Sequence, residues 1–326
     1  MRILEDAFGR EFHYLRLSVT DRCNYRCAYC LPSGCPKGSG AQPLSAAEVG
    51  RLVRGFADLG LWKVRLTGGE PTMRRDIAEV VARVAATPGV RRVGLTTNGH
   101  TLVDLAAPLR SAGLTSVNVS LDSLDPKRFE QITGFPEMGR VLAGVEAAVA
   151  AGIPSVKINA VLLRGLGQTE FERFLALVKD APLTVRFIEL MQTADNGGFF
   201  KQYHLPAEEV RRRLEERGFA ALPKDPADGP AVNYGCAGYR GKVGLIAPYS
   251  RGFCKSCNRL RVSSTGDLRL CLFGDIEIPL RPHLESDDER EKLIGLIEAS
   301  IKTKPASHLL QEGRCGAVTN LAATGG

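Results

Sequence analysis

Short apolar runs alternate with longer amphipathic stretches along the first part of this 326-residue chain. Ser45 and Glu48 form a capping-box pattern ahead of apolar residues at helical spacing, which predicts a helix that ends at Gly60. We expect Asp76 to cap the next helix. The β-rich runs predict six strands, at residues 15–19, 63–67, 92–97, 116–121, 156–163 and 184–190.

Six βα units predict an α/β fold with a parallel sheet, either open and doubly wound or curled into a partial barrel. After Met191 the alternation ends in a loop rich in Asp, Asn and Gly. We therefore expect a barrel domain at residues 1–192 and a smaller C-terminal domain at 193–326. The apolar stretch at 138–153 contains Arg140 and Glu146, which predicts a helix and not a membrane span.

Polar or glycine-rich segments follow most of the predicted strands, where parallel α/β folds gather their functional groups. A cysteine loop follows the first strand and Gly68-Gly69-Glu70-Pro71 follows the second. Three more segments end later strands, and they are Thr96-Thr97-Asn98-Gly99, Ser120-Leu-Asp122 and Glu189-Leu-Met191. Such residues also form ordinary turns, but the adjacent glycines additionally let a ligand approach the backbone.

Basic residues interrupt the apolar runs at five positions, namely Arg16, Lys63, Arg65, Lys157 and Arg186. The strand period places Lys63 and Arg65 on the same face. Helices cover the outside of such a sheet, so these cations are expected inside, where burial without a partner is costly. A triphosphate would supply the missing anion. The alternative for any single residue is a strand end from which the side chain reaches solvent.

The net charge of +7 favours anionic partners but does not separate nucleotides from nucleic acids. No basic run with interleaved aromatic residues is present, so we expect no nucleic-acid partner. The first residues are charged and lack the apolar core of a signal peptide. We therefore expect a cytoplasmic protein without a membrane anchor, whose nine cysteines are reduced.

Two cysteine triplets each lack one ligand of a four-ligand metal site. The first contains the aromatic Tyr29 beside its last cysteine. The triplets are Cys23, Cys27 and Cys30, and Cys254, Cys257 and Cys271. Three thiolates on a metal centre leave one position for a small molecule. For the second triplet zinc is an open alternative, with Cys236 or His283 as its fourth ligand.

The loop from Cys23 to Cys30, followed by Gly68-Gly69-Glu70-Pro71, resembles the signature of the radical S-adenosylmethionine (SAM) superfamily. The resemblance implies a partial (βα)6 barrel followed by a smaller domain. It also implies a 4Fe–4S cluster on Cys23, Cys27 and Cys30, with SAM on the fourth iron. Direct ligation would shorten the path of the electron that breaks the sulfonium C–S bond.

Further segments narrow the resemblance to the radical SAM family that cyclises GTP in molybdenum cofactor biosynthesis. They are residues 15–23, 67–71, 186–189 and 253–261 and the terminal Gly325-Gly326, in an order that covers essentially the whole chain. The resemblance implies a second 4Fe–4S cluster on Cys254, Cys257 and Cys271, with its open iron facing guanine. It assigns SAM to Tyr29, Gly69, Ser120 and Met191. It assigns GTP to Arg16, Lys63, Arg65, Thr96, Lys157, Arg186, Arg259, Leu260 and Arg261.

The implied activity is that of a lyase. SAM is cleaved to methionine and a 5'-deoxyadenosyl radical, which takes hydrogen from ribose C3' before that carbon adds to guanine C8. The implied catalytic residues are Arg259, Arg261, Gly325 and Gly326, and Cys35 has no assigned role. Flavodoxin or ferredoxin is the implied electron donor. A homodimer and a functional link to cyclic pyranopterin monophosphate synthase are implied as well.

Three other classes compete with this interpretation. A peptide-modifying radical SAM enzyme also joins auxiliary clusters to such a barrel, but usually carries more cysteines in its C-terminal region than the five here. An RNA-modifying radical enzyme would fit the positive charge. A zinc-stabilised binding protein would need neither Tyr29 nor the Gly-Gly-Glu-Pro segment.

Overall fold

A computed structural model of the protein describes residues 2–31, 34, 42–225 and 228–316. Its strands are β1 (Leu4–Glu5), β2 (Glu11–Phe12), β3 (Tyr14–Ser18), β4 (Lys63–Thr67), β5 (Arg92–Thr97), β6 (Ser116–Ser120), β7 (Ser155–Leu162), β8 (Thr184–Glu189), β9 (Ala220–Ala221), β10 (Val232–Gly235), β11 (Lys242–Ile246), β12 (Arg259–Val262), β13 (Asp267–Arg269) and β14 (Ile278–Pro279). The six predicted strands are therefore confirmed as β3 to β8, each within two residues of its predicted ends.

The strands β3 to β14 form one twelve-stranded sheet in the order β14-β13-β12-β3-β4-β5-β6-β7-β8-β11-β10-β9. All pairs from β12 through β11 are parallel, and the outer pairs at both edges are antiparallel. The predicted parallel α/β fold is thus confirmed. Because β11 and β12 come from beyond residue 192, the C-terminal region extends both edges of the barrel sheet. The division at residue 192 stays a prediction.

Helices cover the outer face of the sheet. They are α1 (Ala46–Asp58), α2 (Ile77–Ala85), α3 (Leu102–Ser111), α4 (Pro126–Thr133), α5 (Met138–Ala150), α6 (Gln168–Asp180), α7 (Gly197–Tyr203), α8 (Ala207–Glu215) and α9 (Arg290–Ile301). The apolar faces of all these helices except α7 pack with buried strand residues in one continuous core, whereas α7 packs in a smaller cluster through Phe199, Phe200 and Tyr203. Among the described residues, no helix is long and apolar enough to cross a membrane.

The helix ends show where local sequence patterns hold. The capping box of α1 is present, because Ser45 Oγ accepts from Glu48 N at 3.2 Å and Glu48 Oε2 accepts from Ser45 N at 2.7 Å. The expected cap by Asp76 is wrong, since its side chain makes no capping hydrogen bond to α2. Arg74 instead donates to both Asp76 carboxylate oxygens, at 2.9 and 2.7 Å, which explains why the carboxylate turns away from the helix.

Candidate active site

The first cysteine loop leaves β3 and is held by the segment that follows β4. Gly69 N donates to Thr20 O at 2.9 Å, and Glu70 N donates to Arg22 O at 2.7 Å. A methyl group on Gly68 or Gly69 would clash with the backbone oxygens of Thr20 or Arg22. The two glycines are therefore required by the close approach of the cysteine loop itself, which is a different reason from the ligand approach suggested by the sequence.

A cavity of about 930 Å³, counting its open mouth, lies at the carboxyl ends of β3 to β8. Each of these strands or its following loop contributes to the lining, which includes Cys23, Cys27, Cys30, Tyr29, Gly69, Thr96, Ser120, Asn159 and Met191. The structure thus brings together the first triplet and all four residues predicted to contact SAM.

Two buried carboxylates fix the loops around this cavity. Glu70 accepts hydrogen bonds from Thr72 N, Thr72 Oγ1, Thr97 Oγ1 and Asn98 N at 2.6–3.0 Å, and burial raises its pKa. Asp122 accepts from Tyr29 Oη at 2.7 Å and from Val161 N at 2.8 Å, and burial raises the pKa of Asp122 to about 6. Tyr29, the aromatic residue of the cysteine motif, therefore ties the cysteine loop to β6 and β7.

Three of the predicted cations lie one strand period below the cavity wall. Arg65, Lys157 and Arg186 each precede a lining residue by two positions, so they share its face at about 7 Å greater depth. The lining residues in question are Thr67, Asn159 and Ile188. The ladder register then sets Arg261 beside Arg16, and Arg16 beside Arg65, on three adjacent parallel strands. Three guanidinium groups thus form a row across the inside of the sheet.

Strand glycines make room for two of these guanidinium groups. A methyl on Gly94 would lie 2.7 Å from Arg65 Nη2, and a methyl on Gly244 would lie 2.9 Å from Arg186 Cγ. Arg65 donates to Tyr14 Oη at 2.8 Å, Leu95 O at 2.8 Å and Ser116 Oγ at 3.1 Å, which leaves two of its five N–H groups. Its position is therefore fixed before any ligand binds.

Burial and mutual repulsion weaken the protonation of several members of the cation layer, which consists of Arg16, Lys63, Arg65, Lys157, Arg186 and Arg261. Burial, together with the neighbouring Arg and Lys charges, lowers the pKa of Lys157 to about 7 and that of Lys63 to about 8. The same causes lower the pKa of Arg261 to about 9 and that of Arg186 to about 10. Such a layer favours a polyanion, which would restore the charged forms.

Tyr14 offsets part of this charge, as Asp228 does for Lys157 and Arg186. Burial raises the pKa of Tyr14, but the charges of Arg65, Lys63 and Arg16 outweigh it and hold that pKa well below its usual value. The Lys63 ammonium lies 4.1 Å from the centre of the Tyr14 ring. No sequence motif marked Tyr14, although its place two residues before Arg16 puts it on the same strand face.

Several buried polar atoms that face the interior have no hydrogen-bond partner among the described residues. They are Thr96 Oγ1, Asn118 Oδ1, Asn159 Oδ1 and Arg186 Nε. Thr96 is paired with Asn118, and Asn159 with Arg186, across adjacent strands. Buried polar atoms are normally satisfied, so this group indicates a bound polar ligand. Asn118 and Asn159 were not predicted as site residues.

The second triplet lines a second cavity of about 580 Å³, counting its open mouth. Cys254, Cys257 and Cys271 share this cavity with Arg259, Arg261, Lys304, His308 and Met191. Burial raises the pKa of Cys257, but Arg259 and Lys304 outweigh it and lower the value to about 7. Met191 lines both cavities, so the two cavities adjoin at this residue.

The residues proposed to complete a zinc site lie elsewhere. Cys236 Sγ points to Arg217 O at 3.6 Å, and His283 Nδ1 lies 3.0 Å from Glu289 Oε2. Within the described part of the chain, no three His, Cys, Asp or Glu side chains are grouped to hold one metal ion. A cubane takes one thiolate per iron, so its ligands need not converge on a single point.

The remaining predicted site residues divide into two groups. Leu260 is fully buried and packs in the hydrophobic core, on the strand face opposite Arg259 and Arg261, so its side chain does not face the cavity. Cys35, Gly325 and Gly326 lie outside the described residues.

The sequence analysis missed two residues of the second cavity, Lys304 and His308, because they stand in an irregular segment after α9 that carries no motif.

Comparison with known families agrees with this geometry. The Radical SAM superfamily profile matches residues 17–178, and the Molybdenum Cofactor Synthesis C profile matches residues 183–310. A curated GTP 3',8-cyclase of Stenotrophomonas maltophilia is 48% identical over 326 residues, which is all of both chains. Curated enzymes of the same name from Yersinia pestis and Synechococcus elongatus are 46% and 47% identical, over 99% and 100% of each chain.

The chain belongs to the GTP 3',8-cyclase family. An iron–sulfur cluster and SAM are the cofactors of the radical SAM superfamily that includes this family. The full-length match favours the molybdenum cofactor interpretation over the peptide-modifying alternative.

Solved structures share the fold of this cyclase family member. Streptococcus suis SuiB bound to S-adenosylmethionine has a TM-score of 0.62 at 17% identity, over 91% of this chain and 69% of SuiB. A radical SAM methyltransferase from Sphaerobacter thermophilus has a TM-score of 0.50 at 18% identity, over 65% and 68% of the two chains. Identities this low bear on the fold alone.

Proposed function

We propose that this protein joins ribose C3' to guanine C8 of GTP, the first step of molybdenum cofactor biosynthesis. The observation that carries the proposal is the interior cation layer in a chain of the GTP 3',8-cyclase family. The layer lies below the cavity of the first triplet and adjoins, through Arg16 and Arg261, the cavity of the second. A polyanionic nucleotide fits this layer, since it supplies several charges and many acceptor oxygens.

The donor sets suit two 4Fe–4S clusters. Cys23, Cys27 and Cys30 would hold one, and Cys254, Cys257 and Cys271 the other. When bound, the first cluster would supply the electron that cleaves SAM to methionine and the 5'-deoxyadenosyl radical, which takes hydrogen from ribose C3'. After C3' adds to C8, the radical left on guanine would take one further electron, which the electron donor ultimately supplies, and one proton. Tyr29, Gly69, Ser120 and Met191 would contact SAM, and all four line the cavity of the first triplet.

The chain's own residues would then hold GTP between the two triplets. Arg65 and Arg186 are preset by Gly94 and Gly244, and would bind phosphate oxygens with Arg16, Lys63 and Lys157. Thr96 offers a hydroxyl that has no hydrogen-bond partner in the described part of the chain. Arg259 and Arg261 line the second cavity and would orient the base there. Holding C3' near C8 in this way is catalysis by orientation.

Other residues would shield the reaction from water. The Glu70 and Asp122 hydrogen bonds close the loops around the first cavity. The tail glycines Gly325 and Gly326 are proposed to reach the active site, where residues without a side chain could approach two substrates. A dry site protects carbon radicals from side reactions.

The proposed setting is the cytoplasm, where thiols stay reduced. A flavodoxin or ferredoxin would donate the electron, and two copies of the chain would form a homodimer. Cyclic pyranopterin monophosphate synthase would use the product.

The test is an anaerobic incubation with GTP, SAM and dithionite after reconstitution with iron and sulfide. We expect about eight irons per chain and one 5'-deoxyadenosine for each cyclised nucleotide. GTP deuterated at C3' should pass its deuterium to 5'-deoxyadenosine. The proposal would be contradicted if the 5'-deoxyadenosine contained no deuterium and mass spectrometry detected no cyclised nucleotide.

A further inference from the structure

Lys304 is a buried lysine beside the second cysteine triplet. It stands in the turn after α9, and only 4% of it is exposed. It lines the same cavity as Cys254, Cys257 and Cys271. Lysine is seldom buried to this degree without a partner of opposite charge.

The contacts of Lys304 include no acid. Its Nζ donates to the carbonyl of Leu270, the residue before Cys271, and lies 5.3 Å from the centre of the Phe12 ring. In the described parts of the chain, no carboxylate lies within ion-pair distance of Lys304. The nearby Arg10 provides a contrast, because its guanidinium is paired with Asp6 at 2.6 Å.

Arg10 also fixes the segment that carries Lys304. Its guanidinium donates to Pro305 O and Ala306 O, both at 2.7 Å, and to Cys254 O at 3.3 Å. His308 N in turn approaches Cys254 Sγ at 3.5 Å. The segment from Lys304 to His308 is therefore attached to the second triplet at several points, which holds the ammonium group in place.

The thiolates are the charges that Lys304 faces. Burial lowers the pKa of Lys304, whereas Cys257 and Cys271 act against this and favour its charged form. The attraction is mutual, because Lys304 is among the groups that lower the pKa of Cys257. A cubane with three thiolates is an anion, and reduction by one electron adds a further negative charge.

We propose that Lys304 is the counter-charge of the second cluster, and that it raises the reduction potential of that cluster and slows its loss from the protein. This inference rests on the proposed function, since it requires a cluster on Cys254, Cys257 and Cys271. A fixed positive charge stabilises the reduced cluster more than the oxidised cluster, because the reduced cluster is more negative. The role proposed for Lys304 acts through the cluster, so Lys304 is a positioning residue.

The experiment uses the reconstituted full-length enzyme and three variants. Lys304→Gln removes the charge and keeps a donor for Leu270 O, and Lys304→Arg keeps the charge. Lys302→Met is the matched control, because Lys302 is exposed in the same turn. Iron content, iron release to a chelator, and dithionite titration followed by electron paramagnetic resonance are measured. Added SAM identifies the signal of the first cluster.

We expect Lys304→Gln to shift the potential of the second cluster to a more negative value and to speed iron release severalfold. The wild type, Lys304→Arg and Lys302→Met should agree, and the first cluster should be unchanged in all. Loss of the second cluster from the Gln variant alone would be a stronger form of the same result. An unchanged potential in Lys304→Gln, or equal loss in Gln and Arg variants, would overturn the inference. About four irons in the wild type would refute the second cluster itself.

Discussion

A methyl group added at Gly94 should weaken GTP binding without unfolding the protein. Its carbon would lie 2.7 Å from Arg65 Nη2 and 2.8 Å from both Arg65 Cζ and Ser116 Oγ. The guanidinium is the flexible end of the Arg65 side chain, so we expect the guanidinium to move while the strand backbone keeps its position. The hydrogen bonds to Leu95 O and Ser116 Oγ would weaken, at a cost of about 1 kcal/mol. Part of this cost should be offset, because alanine loses less backbone entropy than glycine when a strand folds.

The effect on the ligand should be larger than the effect on stability. Moving Arg65 away from a phosphate removes a charge-assisted hydrogen bond, worth about 1.5–3 kcal/mol. At about 1.4 kcal/mol per factor of ten, GTP should bind about 10- to 150-fold more weakly. Anaerobic calorimetry measures GTP and SAM binding to Gly94→Ala, and thermal unfolding measures stability.

Gly139→Ala is the matched control, because a methyl there meets no atom within 4 Å. Gly244→Ala should act like Gly94→Ala, through Arg186. Wild-type affinity of Gly94→Ala for GTP would refute the role of Arg65. Equal losses of GTP and SAM affinity would instead indicate a damaged barrel, and the reasoning from the cation layer would fail.

Three further predictions follow from the site. Replacing Cys254, Cys257 and Cys271 with Ala should remove about half of the iron and abolish cyclisation while SAM cleavage continues, so full cyclisation in this variant would exclude a second catalytic cluster. Burial and Arg186 lower the pKa of Lys157 to about 7, and a bound phosphate should raise that pKa. Because the free protein then loses the Lys157 charge at a lower pH than the complex does, GTP should bind more weakly as the pH rises. Calorimetry should show this fall in affinity between about pH 7 and about pH 8.5. Lys157→Arg should flatten this fall, and an unchanged slope would exclude Lys157. Deleting Gly325 and Gly326 should leave folding and iron content intact but greatly reduce GTP turnover, and a wild-type rate would show that the tail is dispensable.

The sequence was sufficient to predict the elements that form through interactions between residues close together along the chain. The six strands of the barrel followed from β-rich apolar runs, and the α1 capping box followed from Ser45 and Glu48. The prediction that Asp76 caps α2 was wrong because its carboxylate binds the neighbouring Arg74, which is a stronger interaction than a hydrogen bond to the helix end. Local patterns hold only where no competing partner lies close by.

The sequence was insufficient where residues far apart along the chain determine the arrangement. No periodicity indicates that β11 joins β8 or that β12 joins β3, because strand pairing is a non-local choice. Strand alternation did predict a common face for Lys63 and Arg65. It could not show that Gly94 makes room for Arg65, or that Tyr14 lies among three cations. Those features depend on the register between strands.

The pairing of β12 with β3 explains how one chain can keep two cysteine triplets at a fixed separation. Cys257 precedes the start of β12, whereas Cys23 follows the end of β3, and the two strands are parallel and in register. The triplets therefore lie at opposite ends of this strand pair, with Arg16 and Arg261 side by side between them. Because one sheet carries both triplets, the strand register sets the separation between the end where SAM would bind and the end where the base of GTP would bind. Arginines on neighbouring strands would then hold GTP between these ends, in the glycosidic conformation that places C8 near C3'.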